Sequence, residues 1–130
     1  MDQPLVVHEH DVELERWDDP GRGPVVWRTL VSSDRTPTSG LTIGIAELPA
    51  GLSDPGPAHR HAPPEVYFVL AGEGVMDIDG VLTPVQANTA VFIPGMAAHR
   101  LVNTGTSTLR LLYAFGVDSF SDVTYLFPTG

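Results

Sequence analysis

His59-Arg60-His61-Ala62-Pro63-Pro64-Glu65-Val66-Tyr67 is the stretch whose reading decides the fold. Two histidines one residue apart share a face on a strand, because strand side chains alternate with a period of two. The Ala-Pro-Pro segment breaks that strand and restarts the chain at Glu65, just before the apolar run Val66-Tyr67-Phe68-Val69-Leu70. Imidazole, imidazole and carboxylate are ordinary ligands for zinc, iron, manganese or nickel. The short, stiff Pro63-Pro64 link reduces the disorder lost on placing Glu65.

Downstream, Ala71-Gly72-Glu73-Gly74 reads as a tight turn, and Asp79-Gly80 is a two-residue hairpin signal. Pro94-Gly95-Met96 is a further turn, ahead of a strand over 98–103 that carries His99. The longest apolar strand covers 108–115. Upstream, strands are expected over 25–31 and 41–48, with a polar loop over 32–40 and a turn-rich loop over 49–57. In the acidic N-terminal segment, Val12 and Leu14 alternate with Asp11, Glu13 and Glu15, the pattern of an edge strand. Short strands at regular spacing, with 13 glycines and 12 prolines, predict an all-β antiparallel sandwich or barrel. The expected organisation is an arm or edge strands over 1–24, a barrel over 25–116 and a tail over 117–130 packed on the barrel or on a partner.

A chain of 130 residues with 42% hydrophobic content supports one core. With no cysteine, disulfides, thiolate metal sites and cysteine nucleophiles are excluded together. A formal charge of −9 weighs against a nucleic-acid partner, since phosphate contacts need a basic footprint. Met1-Asp2-Gln3-Pro4 does not begin a secretory signal, and no apolar run reaches membrane-span length, so a cytoplasmic protein with no membrane contact is expected. No dinucleotide or phosphate-binding loop is present, since Gly72-Glu73-Gly74 leads into a strand rather than a helix. His8 and His10 form another His-x-His pair but lack a carboxylate and a strand context; solvated terminal histidines are the default there.

Two motifs in the right order resemble those of a small single-domain cupin. The first is a His-x-His, a glutamate after a short spacer and, after six intervening residues, a glycine, here His59, His61, Glu65 and Gly72. The second is a proline, a histidine five positions later and an asparagine four after that, here Pro94, His99 and Asn103. Two motif glycines are replaced, one by Ser53 and one by Met96. The resemblance implies a jelly-roll or double-stranded β-helix barrel. It also implies that His59, His61, Glu65 and His99 bind one divalent transition metal: iron, manganese, nickel, cobalt or zinc. Four protein ligands would leave one or two coordination positions open for chemistry. The competing reading is that these histidines are ordinary surface or hydrogen-bonded core residues.

Tyr67 shares the strand face of Glu65, so its phenol would reach the pocket as a base, a substrate contact or a packing residue. Asn103 would orient a ligand, line the pocket floor or serve as a structural amide. Met76 and Phe92 are expected on the pocket wall or in the core. Arg28 or Arg110 facing inward would favour a carboxylate substrate. Val66, Phe68 and Leu70 face the other way, and cover by the terminal segments or by a second subunit in a homodimer is expected. The functional expectation is a metal-dependent enzyme on a small organic substrate, with a slight lean to a non-haem oxygenase. The alternatives are a lyase or isomerase on a small carboxylate, with Tyr67 as base, resembling the cupins that cleave dimethylsulfoniopropionate, and a non-catalytic small-molecule-binding barrel.

Overall fold

The computed structural model describes residues 4–51 and 55–128, so Ser53 and the terminal Met1–Gln3 lie outside the described residues. Nine strands form: β1 Glu15–Arg16, β2 Val26–Val31, β3 Thr42–Leu48, β4 Glu65–Ala71, β5 Glu73–Ile78, β6 Val81–Gln86, β7 Ala90–Ile93, β8 His99–Asn103 and β9 Leu109–Phe115. They pair in two antiparallel sheets, one in the order β1-β2-β3-β9-β4-β7 and one in the order β6-β5-β8. This is the jelly-roll arrangement that the short, turn-punctuated strands predict. No described helix is long and apolar enough to cross a membrane.

β9 is the spine of the larger sheet, between β3 and β4. Its Leu109, Leu111, Tyr113 and Phe115 are buried, while Arg110, Leu112 and Ala114 point to the other face and are half-buried. Register carries that division sideways: Phe115 pairs with Glu65 on one side and Thr42 on the other, and Tyr113 pairs with Tyr67 and Gly44. Gly44 is a required glycine, because a Cβ there would collide with the Tyr113 hydroxyl. Asp79 and Gly80 both take positive φ, 49° and 85°, the two left-handed residues of a hairpin between β5 and β6.

The segment 12–14 is not the edge strand that its alternation predicts. A 3-10 turn at Glu9–Asp11 precedes it, and only Glu15–Arg16 pairs with β2. Side-chain ties hold this arm instead of a ladder. Arg110 on β9 donates to both carboxylate oxygens of Glu9, at 3.1 and 2.9 Å, and Arg28 Nε donates to the Val12 carbonyl. On the outer face Val66, Phe68 and Leu70 are exposed, and Phe92, paired with Val66, is 64% exposed. This is the surface to which the expectation of a homodimer refers.

Met96 stands where the resemblance expects glycine, and its φ of 63° is left-handed. The turn needs that conformation: Met96 N–H donates to the His61 carbonyl at 2.8 Å, and a Cβ on Gly95 would strike the Ala62 carbonyl. An L-residue with a Cβ in this region costs about 1–2 kcal/mol, against roughly 0.5–1 kcal/mol of extra chain entropy for glycine. Met96→Gly should therefore raise stability by up to about 1 kcal/mol, read as a higher urea midpoint at unchanged slope. An unchanged or lower midpoint would contradict it.

Candidate metal centre

Each histidine is placed by backbone ties between the two motifs. His59 and His99 form an isolated antiparallel bridge, His59 N to His99 O at 3.0 Å and the reverse at 2.8 Å. Arg60 bridges Leu126 of the tail in the same way, so the expected histidine strand is reduced to two single bridges. Pro63 and Pro64, which have no amide to donate, end it. Arg60 is exposed, whereas His61 and His99 are buried at 1% and 0% exposure, and Glu65 at 3%.

Two of the three tautomers follow from carbonyl partners, which can only accept. His61 Nδ1–H donates to the Pro63 carbonyl at 2.8 Å, and His99 Nδ1–H donates to the Ala97 carbonyl at 2.9 Å. Both rings are thereby turned so that Nε2 faces the barrel interior, the orientation that backbone carbonyls give to metal-binding histidines. The ligand nitrogens of His59, His61 and His99 lie within 4.8 Å of one another, near the span of nitrogens that share one ion at bonds of about 2.1 Å.

A carboxylate stands beside this cluster. Glu65 Oε1 stands 3.1 Å from His61 Nε2 and 3.6 Å from His99 Nε2. With both Nδ1 atoms protonated, neutral rings would aim lone pairs at a carboxylate. Burial works against charging His61, but the hydrogen bond and charge of Glu65 outweigh it, and the pKa is raised. One proton on His61 relieves one contact. His99 Nε2 remains buried with no hydrogen-bond partner, and burial followed by the neighbouring His99 and His61 holds His59 at about 3, a neutral ring. The three convergent imidazoles could hold a metal ion, with the Glu65 carboxylate beside them.

The cluster opens on a cavity of about 90 Å³, walled by His59, Glu65, Tyr67, Tyr113, Tyr125, Trp17 and Trp27 among others. Tyr67 lies on the same inner face as Glu65, its ring 6.4 Å from that of His99. Burial, then the charge of Glu65, pushes its phenol well above the ordinary value. The Tyr113 hydroxyl is occupied, 3.3 Å from Thr29 Oγ1, while Tyr67 makes no hydrogen bond among the described residues.

Five sequence candidates fall elsewhere. Phe92 points outward from β7 because its strand parity is that of Val66, not of Glu65. Asn103 is a structural amide at the barrel end: Nδ2 donates to the Leu48 and Ser107 carbonyls, and Oδ1 accepts from Gly105 N–H. Met76 is a core residue, 1% exposed and absent from the cavity wall. Arg28 faces out, 3.8 Å from Glu47 and bonded to the arm, and Arg110 does the same with Glu47 and Glu9. Their strands put Trp27 and Leu111 inside, which leaves the neighbouring arginines outside. His8 and His10 stack at 4.8 Å, with His8 Nδ1 accepting from His10 N–H.

Both chain ends contribute wall residues that the division into arm, barrel and tail does not foresee. The Tyr125 ring lies 5.0 Å from His59 and 5.1 Å from His61, and Trp17 lies 5.1 Å from Tyr125. The signal in the sequence is large aromatics in the terminal segments, Trp17 in the arm and Tyr125 and Phe127 in the tail.

A family model described as the cupin domain matches residues 44–115. A dimethylsulfoniopropionate lyase from Ruegeria pomeroyi is 38% identical over 124 residues, covering 95% of this chain and 80% of that protein. An oxalate-binding protein from Thermotoga maritima is 30% identical over 111 residues, covering 83% of this chain and 90% of that one. The structure of a polyketide cyclase from Streptomyces resistomycificus superposes with a TM-score of 0.78 over 98% of this chain and 87% of that one, at 22% identity, which is a likeness of fold.

Proposed function

The chain belongs to the cupin family, and from that footing we propose that it is a metal-dependent lyase acting on a small carboxylate. The observation that carries the reading is an unbonded phenol, Tyr67, on the cavity wall beside three convergent imidazoles and Glu65. The two curated relatives support the substrate class: dimethylsulfoniopropionate and oxalate, the compounds in their names, are both small carboxylates. The activity named is a lyase, and the sequence-based lean to an oxygenase finds no support in these relatives.

His59, His61, His99 and Glu65 would hold the ion. When bound, a divalent ion supplies Lewis acidity to an oxygen ligand and a positive charge that offsets the burial keeping Tyr67 protonated. Having first released its own proton to solvent, Tyr67 as phenolate would take the proton from the carbon next to the carboxylate. The C–H electrons form the C=C bond, and the group on the next carbon leaves with its own bonding pair. Trp17, Tyr113, Tyr125 and Phe120 wall the cavity with apolar rings, restricting water at the reacting carbons.

The test is incubation of the iron-, manganese- or zinc-loaded protein with dimethylsulfoniopropionate and other β-substituted propionates, following the alkene by absorbance and dioxygen by electrode. Alkene from at least one of these β-substituted propionates, without oxygen uptake, is expected; oxygen consumed in step with product would overturn the lyase for an oxygenase. A second reading, a barrel that binds a small carboxylate without turnover, is favoured by the oxalate-binding relative and predicts binding with no product.

A further inference from the structure

Three buried side-chain nitrogens have no hydrogen-bond partner among the described residues: His99 Nε2, Arg100 Nε and Trp27 Nε1. His99 is accounted for by the imidazole cluster, and Arg100 Nε faces Asp77 at 3.4 Å. Trp27 is left over. It is 8% exposed, it lies on the cavity wall, and an indole N–H can only donate. The wall of the cavity therefore carries a buried donor with no partner among the described residues.

A second donor stands nearby. Arg22, from the arm, lines the same cavity with its guanidinium carbon 4.4 Å from the centroid of Phe127 and 5.4 Å from that of Trp17. Trp17 packs on Trp27 at 5.0 Å, so the two donors share one aromatic neighbour. The other cavity arginine, Arg100, is paired with Asp77, whereas Arg22 meets no carboxylate among the described residues. Stacking on rings uses the flat faces of a guanidinium and leaves its N–H edge free for a planar oxyanion. Rings of the same cluster also reach the imidazoles: Phe127 is 5.4 Å and Tyr125 5.0 Å from His59. The pocket thus has two poles, imidazoles and Glu65 at one and unpaired donors at the other.

We propose that Arg22 and the Trp27 indole N–H form a second anchor for an oxyanion, so that this pocket selects small dicarboxylates over carboxylates ending in a sulfonium. The proposal rests on the lyase reading for the metal end and names the other end of the substrate. A sulfonium there would meet the like charge of Arg22, and the faces of Trp17 and Phe127 that could hold it are taken by the guanidinium.

Three probes share one propionyl unit and differ at the far carbon: propionate, succinate and dimethylsulfoniopropionate. Trp17 and Trp27 are the only tryptophans of the chain and both line the cavity, so intrinsic fluorescence of the metal-loaded protein reports binding, with calorimetry as the check on Trp27→Phe. Succinate should bind at least tenfold tighter than propionate, and dimethylsulfoniopropionate no tighter than propionate. Arg22→Gln should bring succinate down to the propionate level and leave propionate unchanged. Trp27→Phe should weaken succinate severalfold, and Arg22→Glu should reverse the order of succinate and the sulfonium. Tighter binding of the sulfonium than of succinate by the wild type, or a succinate-to-propionate ratio unmoved by Arg22→Gln, would overturn the anchor. Propionate binding that ignores removal of the metal would overturn the reading of the metal end instead, and no binding of any probe would overturn both.

Discussion

His99→Ala is expected to lower divalent-metal affinity by more than about 100-fold, since loss of a supporting partner alone typically costs 10–100-fold and His99 is itself a ligand candidate. Its ring sits among the others, 4.4 Å from His59 and 4.9 Å from His61 by centroid, and its Nε2 is the orphan that a cation would satisfy. The alanine keeps the backbone bonds between residues 59 and 99, so the bridge that joins the two motifs survives. Removing the ring also removes an unsatisfied polar atom. The metal-free fold should therefore lose less than the roughly 3–5 kcal/mol typical of deleting a large buried side chain. Competition against a chromophoric chelator measures the affinity and a melt of the metal-free protein measures the fold. Undiminished affinity in a folded variant would remove His99 from the site.

Tyr67→Phe should cost about 10²–10⁴ in kcat on whichever β-substituted carboxylate the protein cleaves, the usual contribution of a positioned base. Metal content should stay at the wild-type level. The substitution deletes one hydroxyl that bonds to nothing in the chain and leaves the ring packing intact, so stability should change little. That combination separates a base from a wall residue. If kcat stays within a factor of a few while KM rises, Tyr67 contacts the substrate without taking its proton.

The proposed ligand quartet was legible through the resemblance to two cupin motifs, whose members stand at fixed offsets: His59 and His61 before Pro63-Pro64, Glu65 after it, His99 five residues after Pro94. Turn chemistry and strand parity are local, and the chain writes them locally. Tyr67 followed by the same parity. Arg28 and Phe92 could not be faced in advance, because each lies in a strand whose inner and outer residues are both large. Packing against β3 and β9, or β4, decides which side is in. Trp17, Arg22 and Tyr125 were out of reach for a different reason. They arrive at the cavity through long-range ties, Arg110 to Glu9 and Leu126 to Arg60, that no periodicity encodes. The substitution of Met96 for glycine was visible, but its consequence, a left-handed Met that still delivers its N–H to His61, needed coordinates.

X-ray absorption at the edge of the metal carried by the purified, metal-replete protein tests the centre most directly. A nitrogen and oxygen shell near 2.0–2.2 Å with outer scattering from three imidazoles is the expected result, at about one ion per chain. A shell with no imidazole scattering, or a metal-replete preparation that carries no ion, would contradict the assignment of His59, His61 and His99 to a metal.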